Sequence, residues 1–244
     1  MSLDESVEMA RSMSADGVRV VAATPHVRSD YPTTPAAMEA AVLEVRAAVA
    51  SARIEIDIRP GAEIALDQLG RLDLDSLRRF SLGGTKRAIL LEYPYSGWTP
   101  SLGMICTQLR QDGLIPIIAH PERNREIQNN PSDLKPLVDA GAVVQLTAAS
   151  VDGRLGRAPE ACAHRLLELQ LAHLIASDAH APGVREAGLS AAARAVGGRA
   201  LAQWLTSNVP EAILEGENLP PRPAGPSGRR SFLAKLRSSR VLSS

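Results

Sequence analysis

Short apolar runs alternate with longer amphipathic segments along most of the chain. The apolar runs at 18–22, 54–58, 88–91, 114–119, 143–147 and 173–177 predict six β-strands. Apolar residues at helical spacing predict helices from a Ser2–Glu5 capping box onward and over 34–49, 100–112, 131–140, 159–170 and 185–215. Strands separated by helices of this length pair in parallel through right-handed crossovers. The pattern therefore predicts an α/β fold of the barrel type.

A histidine or a carboxylate stands at, or just after, the end of most of these apolar runs. These candidate metal ligands are His26, Glu63, Glu92, His120, Asp178 and His180. The carboxyl ends of parallel strands converge on one rim of an α/β barrel, where separate loops contribute side chains to a single site. Imidazoles and carboxylates also bind hard or borderline divalent ions. The sequence thus predicts a metal-dependent enzyme.

Composition narrows the possible partners. The 244 residues are 45% hydrophobic and 22% charged, which is typical of a globular protein. Only 3% are aromatic, so a nucleic-acid partner that stacks bases on rings is not expected. No apolar stretch approaches the roughly 18 residues of a membrane span, and no secretory pattern opens the chain. We therefore expect a cytoplasmic protein without a membrane span.

The last part of the chain differs from the rest. Residues 218–228 contain four prolines and two glycines, which predicts a linker. Residues 218–244 carry six basic residues and no acidic residue, so a basic, disordered tail is the interpretation we adopt. A short amphipathic helix that contacts an anionic surface is the alternative. We expect a barrel domain over 1–217 and a linker and tail over 218–244.

Seven short motifs follow one another along the chain between residues 3 and 196. They are Glu5–Ala10, Ala23–His26, Gly61–Ile64, Leu91–Pro94, Ala119–Asn124, Gln145–Ala148 and Ala176–His180. Together they resemble the bacterial manganese-dependent tyrosine phosphatases of capsule and exopolysaccharide loci, within the polymerase and histidinol phosphatase (PHP) superfamily. The resemblance implies a distorted seven-stranded (β/α)7 barrel and up to three manganese or other divalent ions. It also implies hydrolysis of phosphotyrosine on the tail of a bacterial tyrosine kinase that controls polysaccharide export.

One feature departs from the family pattern. Family members open with a strand that bears an H-x-H pair, and Met1 falls just after the corresponding loop. We therefore expect the first strand to be missing from this chain, either through a late start codon or in a degraded relative. In the family arrangement, Glu63, Glu92 and His120 hold one metal. A second site keeps Glu63 and Asp178, and a third keeps His26 and His180.

Phosphoester hydrolysis also needs positive charge around the phosphoryl oxygens. Arg123 and Arg185 follow the rim histidines closely, and a guanidinium can grip phosphate through two bonds. The resemblance assigns both arginines this role, and Asp178 or a nearby histidine is a candidate proton donor to the leaving phenolate. Neither Cys106 nor Cys162 begins the C-x5-R loop of thiol-based phosphatases, so a cysteine mechanism is not expected.

Two other functions stay open on the sequence. One is a PHP-type phosphatase for a small phosphoester such as histidinol phosphate. The other is a non-catalytic pseudophosphatase that binds phosphotyrosine through Arg123 and Arg185. Outside the site, we expect His164 and His173 to be structural, and we expect the Thr147 hydroxyl to be a satisfied group at a strand end.

Overall fold

Parallel β-strands form the centre of the protein, with helices packed around them. The computed structural model describes residues 2–98, 101–182 and 188–224. Within these residues, the strands are β1 (Val20–Ala23), β2 (His26–Val27), β3 (Asp57–Pro60), β4 (Glu63–Ala65), β5 (Ala88–Glu92), β6 (Ile115–Ala119), β7 (Val143–Thr147) and β8 (Leu174–Ala176). The helices are α1 (Leu3–Ala15), α2 (Pro35–Ser51), α3 (Leu74–Arg79), α4 (Leu102–Gln111), α5 (Arg125–Asn129), α6 (Lys135–Asp139), α7 (Ala148–Val151), α8 (Arg157–Glu168), α9 (Ser190–Ala195), α10 (Arg199–Gln203) and α11 (Val209–Glu215).

The strands form two parallel groups. One sheet has the order β2-β4-β5-β6-β7-β8, and a separate ladder pairs β1 with β3. The two groups are continuous along the chain, because the register runs from Ala23↔Pro60 in the ladder to His26↔Glu63 in the sheet. The Glu63 amide also donates to the Pro25 carbonyl at 3.1 Å across the break. We therefore regard β1 and β2 as two halves of one interrupted strand, and β3 and β4 likewise.

A close contact lies at the break between β3 and β4. Gly61 lies there, and a Cβ at this position would come within 2.7 Å of the Leu82 side chain. Pro60 precedes it and has no amide hydrogen to donate to a ladder. Gly61 therefore lets the chain pass close to Leu82, and the Ala62 amide donates to the Phe80 carbonyl at 3.1 Å, outside the strand ladder.

The six predicted strands are all present, with two changes. The strand predicted at 54–58 starts at Asp57 instead, and two strands resume after their interruption as β2 and β4. The predicted helix over 131–140 is a 3-10 turn over 131–134 followed by α6. In the region predicted to be helical over 185–215, residues 185–187 lie outside the described part of the chain. The remainder contains α9, α10, a π-helical turn at 204–208, and α11.

The first two helices begin with side-chain caps. The Ser2 hydroxyl accepts from the Glu5 amide at 3.2 Å, and the Ser2 amide donates to the Glu5 carboxylate at 2.6 Å, which completes the capping box. Thr34 accepts from the Ala37 amide at 3.2 Å, with Pro35 in the first turn of α2. These bonds satisfy amides that have no partner inside the helix.

Aliphatic side chains fill the core, as expected from the low aromatic content. All residues of β5 and β7 are buried, which is typical of parallel strands covered on both faces. The largest side chains in the core that are less than 2% exposed include Ile89, Leu91, Ile117, Ile118 and Leu146. This core fixes the strand ends, and the strand ends carry the candidate ligands.

The chain after α11 returns to the body of the protein. Trp204 donates from Nε1 to the Pro220 carbonyl at 3.0 Å, and Arg222 donates to the Ala172 carbonyl at 2.7 Å. Residues 225–244, which include most of the predicted linker and tail, lie outside the described residues. Among the helices of the described ranges, none is both long and apolar enough to span a bilayer.

Candidate metal centre

Five strands of the main sheet bring the six candidate ligands together. His26 and Glu63 stand at the starts of β2 and β4, and they pair across the ladder. Glu92 ends β5, and His120 follows β6 directly. Asp178 and His180 follow β8 on the same side of the sheet and contact the other ligands, as the distances below show.

Glu63 is at the centre of the cluster. Its Oε1 atom lies 2.8 Å from His120 Nε2, and its Oε2 atom lies 3.6 Å from His26 Nε2. The residue is 4% exposed, and His120 is 3% exposed. One buried carboxylate therefore faces two imidazoles, one on each oxygen.

Glu92 extends the cluster on the His26 side. Its Oε1 atom lies 4.0 Å from His26 Nε2 and 3.4 Å from the Arg28 guanidinium, while the residue is 7% exposed. Arg28 also forks onto Asp30, at 3.0 Å and 3.3 Å, so its side chain is held at the rim.

Asp178 extends the cluster on the other side. Its Oδ2 atom accepts from Arg123 at 2.8 Å, and its Oδ1 atom lies 3.8 Å from His180 Nδ1. The His180 ring is 5.5 Å from the His26 ring, centroid to centroid. His180 therefore lies next to both Asp178 and His26.

The donor atoms form two overlapping groups that suit metal ions. His26, Glu63 and Glu92 make one group, and Glu63, His120 and Asp178 make the other, with the ligand atoms of each group within 4.8 Å of one another. Glu63 belongs to both, and a carboxylate with two oxygens is suited to bridge two ions. The expectation that Glu63, Glu92 and His120 hold one metal stays a prediction.

Two of the candidate ligands have strained backbones. His120 has φ 37° and Asp178 has φ 51°, which is the left-handed region that residues with a Cβ seldom occupy. Such conformations cost on the order of 1 to 3 kcal/mol each, and they persist where surrounding structure fixes them, often at functional sites. Both turns aim a ligand back toward Glu63.

The ionisation of the central pair follows from its surroundings. Burial disfavours the Glu63 carboxylate, but the bond from His120 and the nearby charges of His120 and His26 outweigh burial and lower the Glu63 pKa. Burial likewise disfavours the His120 imidazolium, yet the bond to Glu63 and the Glu63 charge raise the His120 pKa. The two opposite pKa shifts correspond to an ion pair between the Glu63 carboxylate and a protonated His120.

The residues present fit a divalent metal. Three carboxylates, Glu63, Glu92 and Asp178, have side chains that are 5%, 9% and 7% exposed. Burying several carboxylates in one place is costly unless a cation neutralises them. Oxygen and imidazole donors in this mixture suit manganese, iron, cobalt or zinc.

The segment after His120 is anchored on both sides. Glu122 is fully buried, and its Oε1 atom accepts from the Thr147 amide at 2.9 Å and from the Ser150 hydroxyl at 2.7 Å. Asn124 donates to the Pro94 carbonyl at 2.9 Å and accepts from the Ile127 amide at 3.1 Å. These bonds fix the position of Arg123, which lies between the two anchors.

The expectation for the Thr147 hydroxyl is wrong. Its Oγ1 atom is buried and has no hydrogen-bond partner among the described residues, because the amide of Thr147, rather than its hydroxyl, bonds to Glu122. His164 and His173 lie outside the two ligand groups, as expected. His164 Nε2 lies 3.1 Å from the Val151 carbonyl, and His173 Nδ1 accepts from the Val144 amide at 3.1 Å.

Of the two predicted phosphate-binding arginines, Arg123 lies at the cluster. Besides its bond to Asp178, its guanidinium lies 4.6 Å over the Tyr95 ring. Arg185 lies outside the described residues. Sequence reasoning missed Arg28, although its position two residues after His26, just beyond the Ala23–His26 motif, is a usable signal.

The comparisons with known proteins decide the family. A family described as "Capsular polysaccharide synthesis, CpsB/CapC" matches residues 1–215. The chain belongs to this family. The match confirms the resemblance drawn from the seven motifs.

Several proteins that are similar to this chain are named as phosphatases. The chain is 36% identical over 232 residues to the tyrosine-protein phosphatase YwqE of Bacillus subtilis. That alignment covers 93% of this chain and 91% of YwqE. The chain is 29% identical over 183 residues to the putative tyrosine-protein phosphatase CapC of Staphylococcus aureus, covering 73% of this chain and 70% of CapC. A solved structure from work on YwqE and on CpsB of Streptococcus pneumoniae, described as metal-dependent tyrosine phosphatases, superposes with a TM-score of 0.81. That match has 31% identity and covers 92% of this chain and 93% of the other.

Proposed function

We propose that this family member is a metal-dependent tyrosine-protein phosphatase that acts in capsular polysaccharide synthesis. Relatives of the chain are named as tyrosine-protein phosphatases, and the alignment to one of them, YwqE, covers nearly the whole chain. The observation that carries the proposal is the pair of overlapping ligand groups that share Glu63. Arg123 adds a guanidinium next to this pair.

The proposed chemistry divides between bound ions and side chains. Divalent ions held by the two groups would activate water near neutral pH and offset the negative charge of the phosphoryl oxygens. Arg123 grips non-bridging oxygens through its planar fork. The His180 side chain is 38% exposed and lies next to the buried Asp178, and either residue is a candidate to pass a proton to the leaving phenolate.

The finer assignments are part of the same proposal. We infer that the metal is manganese, with up to three ions in a complete site, and that the substrate is the phosphotyrosine tail of a bacterial tyrosine kinase in the cytoplasm. Arg185 is proposed as a second phosphate-binding residue. We also propose that the strands belong to a distorted seven-stranded barrel, since β1 and β8 each have one side without a partner among the described residues.

Hydrolysis of a phosphotyrosine peptide with and without Mn²⁺ tests the function. Wild-type protein is expected to release phosphate with Mn²⁺ and to lose activity on chelation. Glu63→Gln keeps the shape but removes the bridging charge, so kcat/KM is expected to fall at least about a hundredfold. Glu44→Gln, on the exposed side of α2, is the matched control and is expected to retain full activity.

The alternatives predict other results in the same assay. A small-molecule phosphatase would hydrolyse histidinol phosphate in preference to the phosphotyrosine peptide. A pseudophosphatase would bind the peptide in the presence of Mn²⁺ without releasing phosphate. Either result would contradict the proposed function.

A further inference from the structure

Two exposed tyrosines flank the candidate metal centre. Tyr31 is 61% exposed, and its ring centroid lies 6.1 Å from that of His26, with 36° between the planes. Tyr95 is 48% exposed, and its ring centroid lies 6.1 Å from that of His120, with 27° between the planes. His26 and His120 are the two imidazoles that share Glu63, so each has an aromatic ring beside it.

Hydrogen bonds fix the backbone under Tyr31. The Arg28 amide donates to the Tyr31 carbonyl at 3.0 Å, and the Tyr31 amide donates back to the Arg28 carbonyl at 3.1 Å. Val27 and Pro32 also pair across the same turn. The turn therefore holds Tyr31 at the rim directly after the strand that carries His26.

The backbone around Tyr95 is fixed by the segment that carries Arg123. The Tyr95 carbonyl accepts from the Arg125 amide at 3.1 Å, and the Gly97 amide donates to the Glu126 carboxylate at 3.0 Å. The Arg123 guanidinium lies over the Tyr95 ring at 4.6 Å. The group that would grip a phosphoryl oxygen is therefore in direct contact with an aromatic ring.

The placement of these rings is unusual for this chain. Aromatic residues make up 3% of the sequence, and it contains three tyrosines. Two of them, Tyr31 and Tyr95, are among the exposed large hydrophobic residues, and both lie at the same rim. Exposed tyrosines on a fixed backbone offer large contact area at low entropic cost, which is typical of recognition surfaces.

We propose that Tyr31 and Tyr95 determine specificity by contacting the aromatic ring of the substrate. This inference rests on the proposed function and names the feature of the substrate that the rim selects. With the phosphoryl group at Arg123, a phenyl ring attached to it would lie within the reach of Tyr95. Rings prefer offset or edge-to-face contact at centroid distances of about 4.5 to 7 Å. A small alkyl phosphoester has no ring to make such a contact.

Two unreactive ligands isolate the contribution of the ring. Phenylphosphonate and methylphosphonate carry the same anionic head, and only the first has a ring. We would measure the Kd of each for the Mn²⁺-loaded protein by calorimetry. Wild type is expected to bind phenylphosphonate more tightly. Tyr31→Ala and Tyr95→Ala are each expected to reduce this preference about three- to tenfold, as expected for one aromatic contact.

Matched variants separate recognition from support. Tyr31→Phe and Tyr95→Phe keep the rings and are expected to keep the preference, and Leu43→Ala, at a position 62% exposed on α2, serves as a surface control. If Tyr95 only supports Arg123, Tyr95→Ala would weaken both phosphonates equally, and the inference would be wrong for that residue. An unchanged preference in both alanine variants overturns the inference.

The same protein preparation distinguishes this failure from failure of the proposed function. Wild type that hydrolyses phosphotyrosine peptide but shows no preference between the two phosphonates leaves the function standing and removes the role of the tyrosines. Wild type that neither hydrolyses the peptide nor binds either phosphonate overturns both.

Discussion

Glu122 is a fully buried acidic residue two positions after the candidate ligand His120. Burial raises its pKa, although the charge of His120 and the bonds from Thr147 and Ser150 act in the opposite direction. Its role is therefore that of a hydrogen-bond acceptor that ties the His120 segment to the end of β7. A neutral side chain of the same shape can perform this role.

Substitutions at Glu122 test this role. Glu122→Gln keeps the accepting oxygen, so its free energy of unfolding is expected to lie within about 1 kcal/mol of wild type. Glu122→Ala leaves the Thr147 amide and the Ser150 hydroxyl buried without a partner and opens a cavity, at a cost of about 2 to 4 kcal/mol. Urea unfolding curves at pH 7 measure both values. Equal destabilisation by the two variants would contradict the role.

At the scale of elements, His173 joins β7 to β8. Its amide donates to the Val144 carbonyl at 2.9 Å, and its Nδ1 atom accepts from the Val144 amide at 3.1 Å. Burial, together with the nearby charge of Arg222, lowers the His173 pKa to about 4. A protonated imidazole cannot accept at Nδ1, so protonation breaks one of the two hydrogen bonds between His173 and Val144.

The pKa of His173 predicts a pH dependence of stability. Between pH about 4 and the ordinary histidine value near 6.5, the unfolded chain binds a proton that the folded protein does not, so stability falls as pH falls through this window. The full loss is on the order of 3 kcal/mol. His173→Asn is expected to show a smaller difference in urea midpoint between pH 4.5 and pH 7.5. His164→Asn is the control, and an equal difference in wild type and His173→Asn would refute the assignment.

Sequence patterns predicted elements better than they predicted contacts. The apolar runs located β5 to β8 because fully buried parallel strands have few polar positions. They ended the first two strands early, since Pro25 and Gly61 look like strand ends although the register resumes at His26 and Glu63. A close contact with Leu82 lies at one of these breaks, and a contact between distant residues cannot be read from local pattern.

The sequence likewise predicted which residues belong to the candidate site, but not the contacts between them. Residue type and strand-end position were enough to choose His26, Glu63, Glu92, His120 and Asp178, and the structure brings these side chains together. Their grouping depends on side-chain distances, as do the contacts of Arg28 and Tyr95. Those contacts join separate strands and loops, and no spacing along the chain encodes them.

On the scale of the whole molecule, a metal bound at the candidate cluster would couple its binding to folding. The cluster's donors come from β2, β4, β5 and the segments after β6 and β8, and only the folded chain holds the donors of each ligand group within 4.8 Å of one another. Unfolding separates the donors and releases an ion, so bound metal stabilises the folded state by mass action. The buried carboxylates strengthen the effect, because a cation removes their mutual repulsion.

This coupling predicts a metal-dependent unfolding temperature. At a Mn²⁺ concentration of about 100 times Kd, the expected stabilisation is about 2.7 kcal/mol for one ion, which corresponds to roughly 5 to 10 °C in Tm for a chain of this size. Chelation is expected to reverse the increase, and Glu63→Gln is expected to reduce it because both ligand groups lose the shared carboxylate. Glu44→Gln should respond as wild type does. Scanning calorimetry measures these Tm shifts without any substrate. A pseudophosphatase that binds metal would therefore still show the increase in Tm. Equal increases in wild type and Glu63→Gln would mean that the ion binds elsewhere.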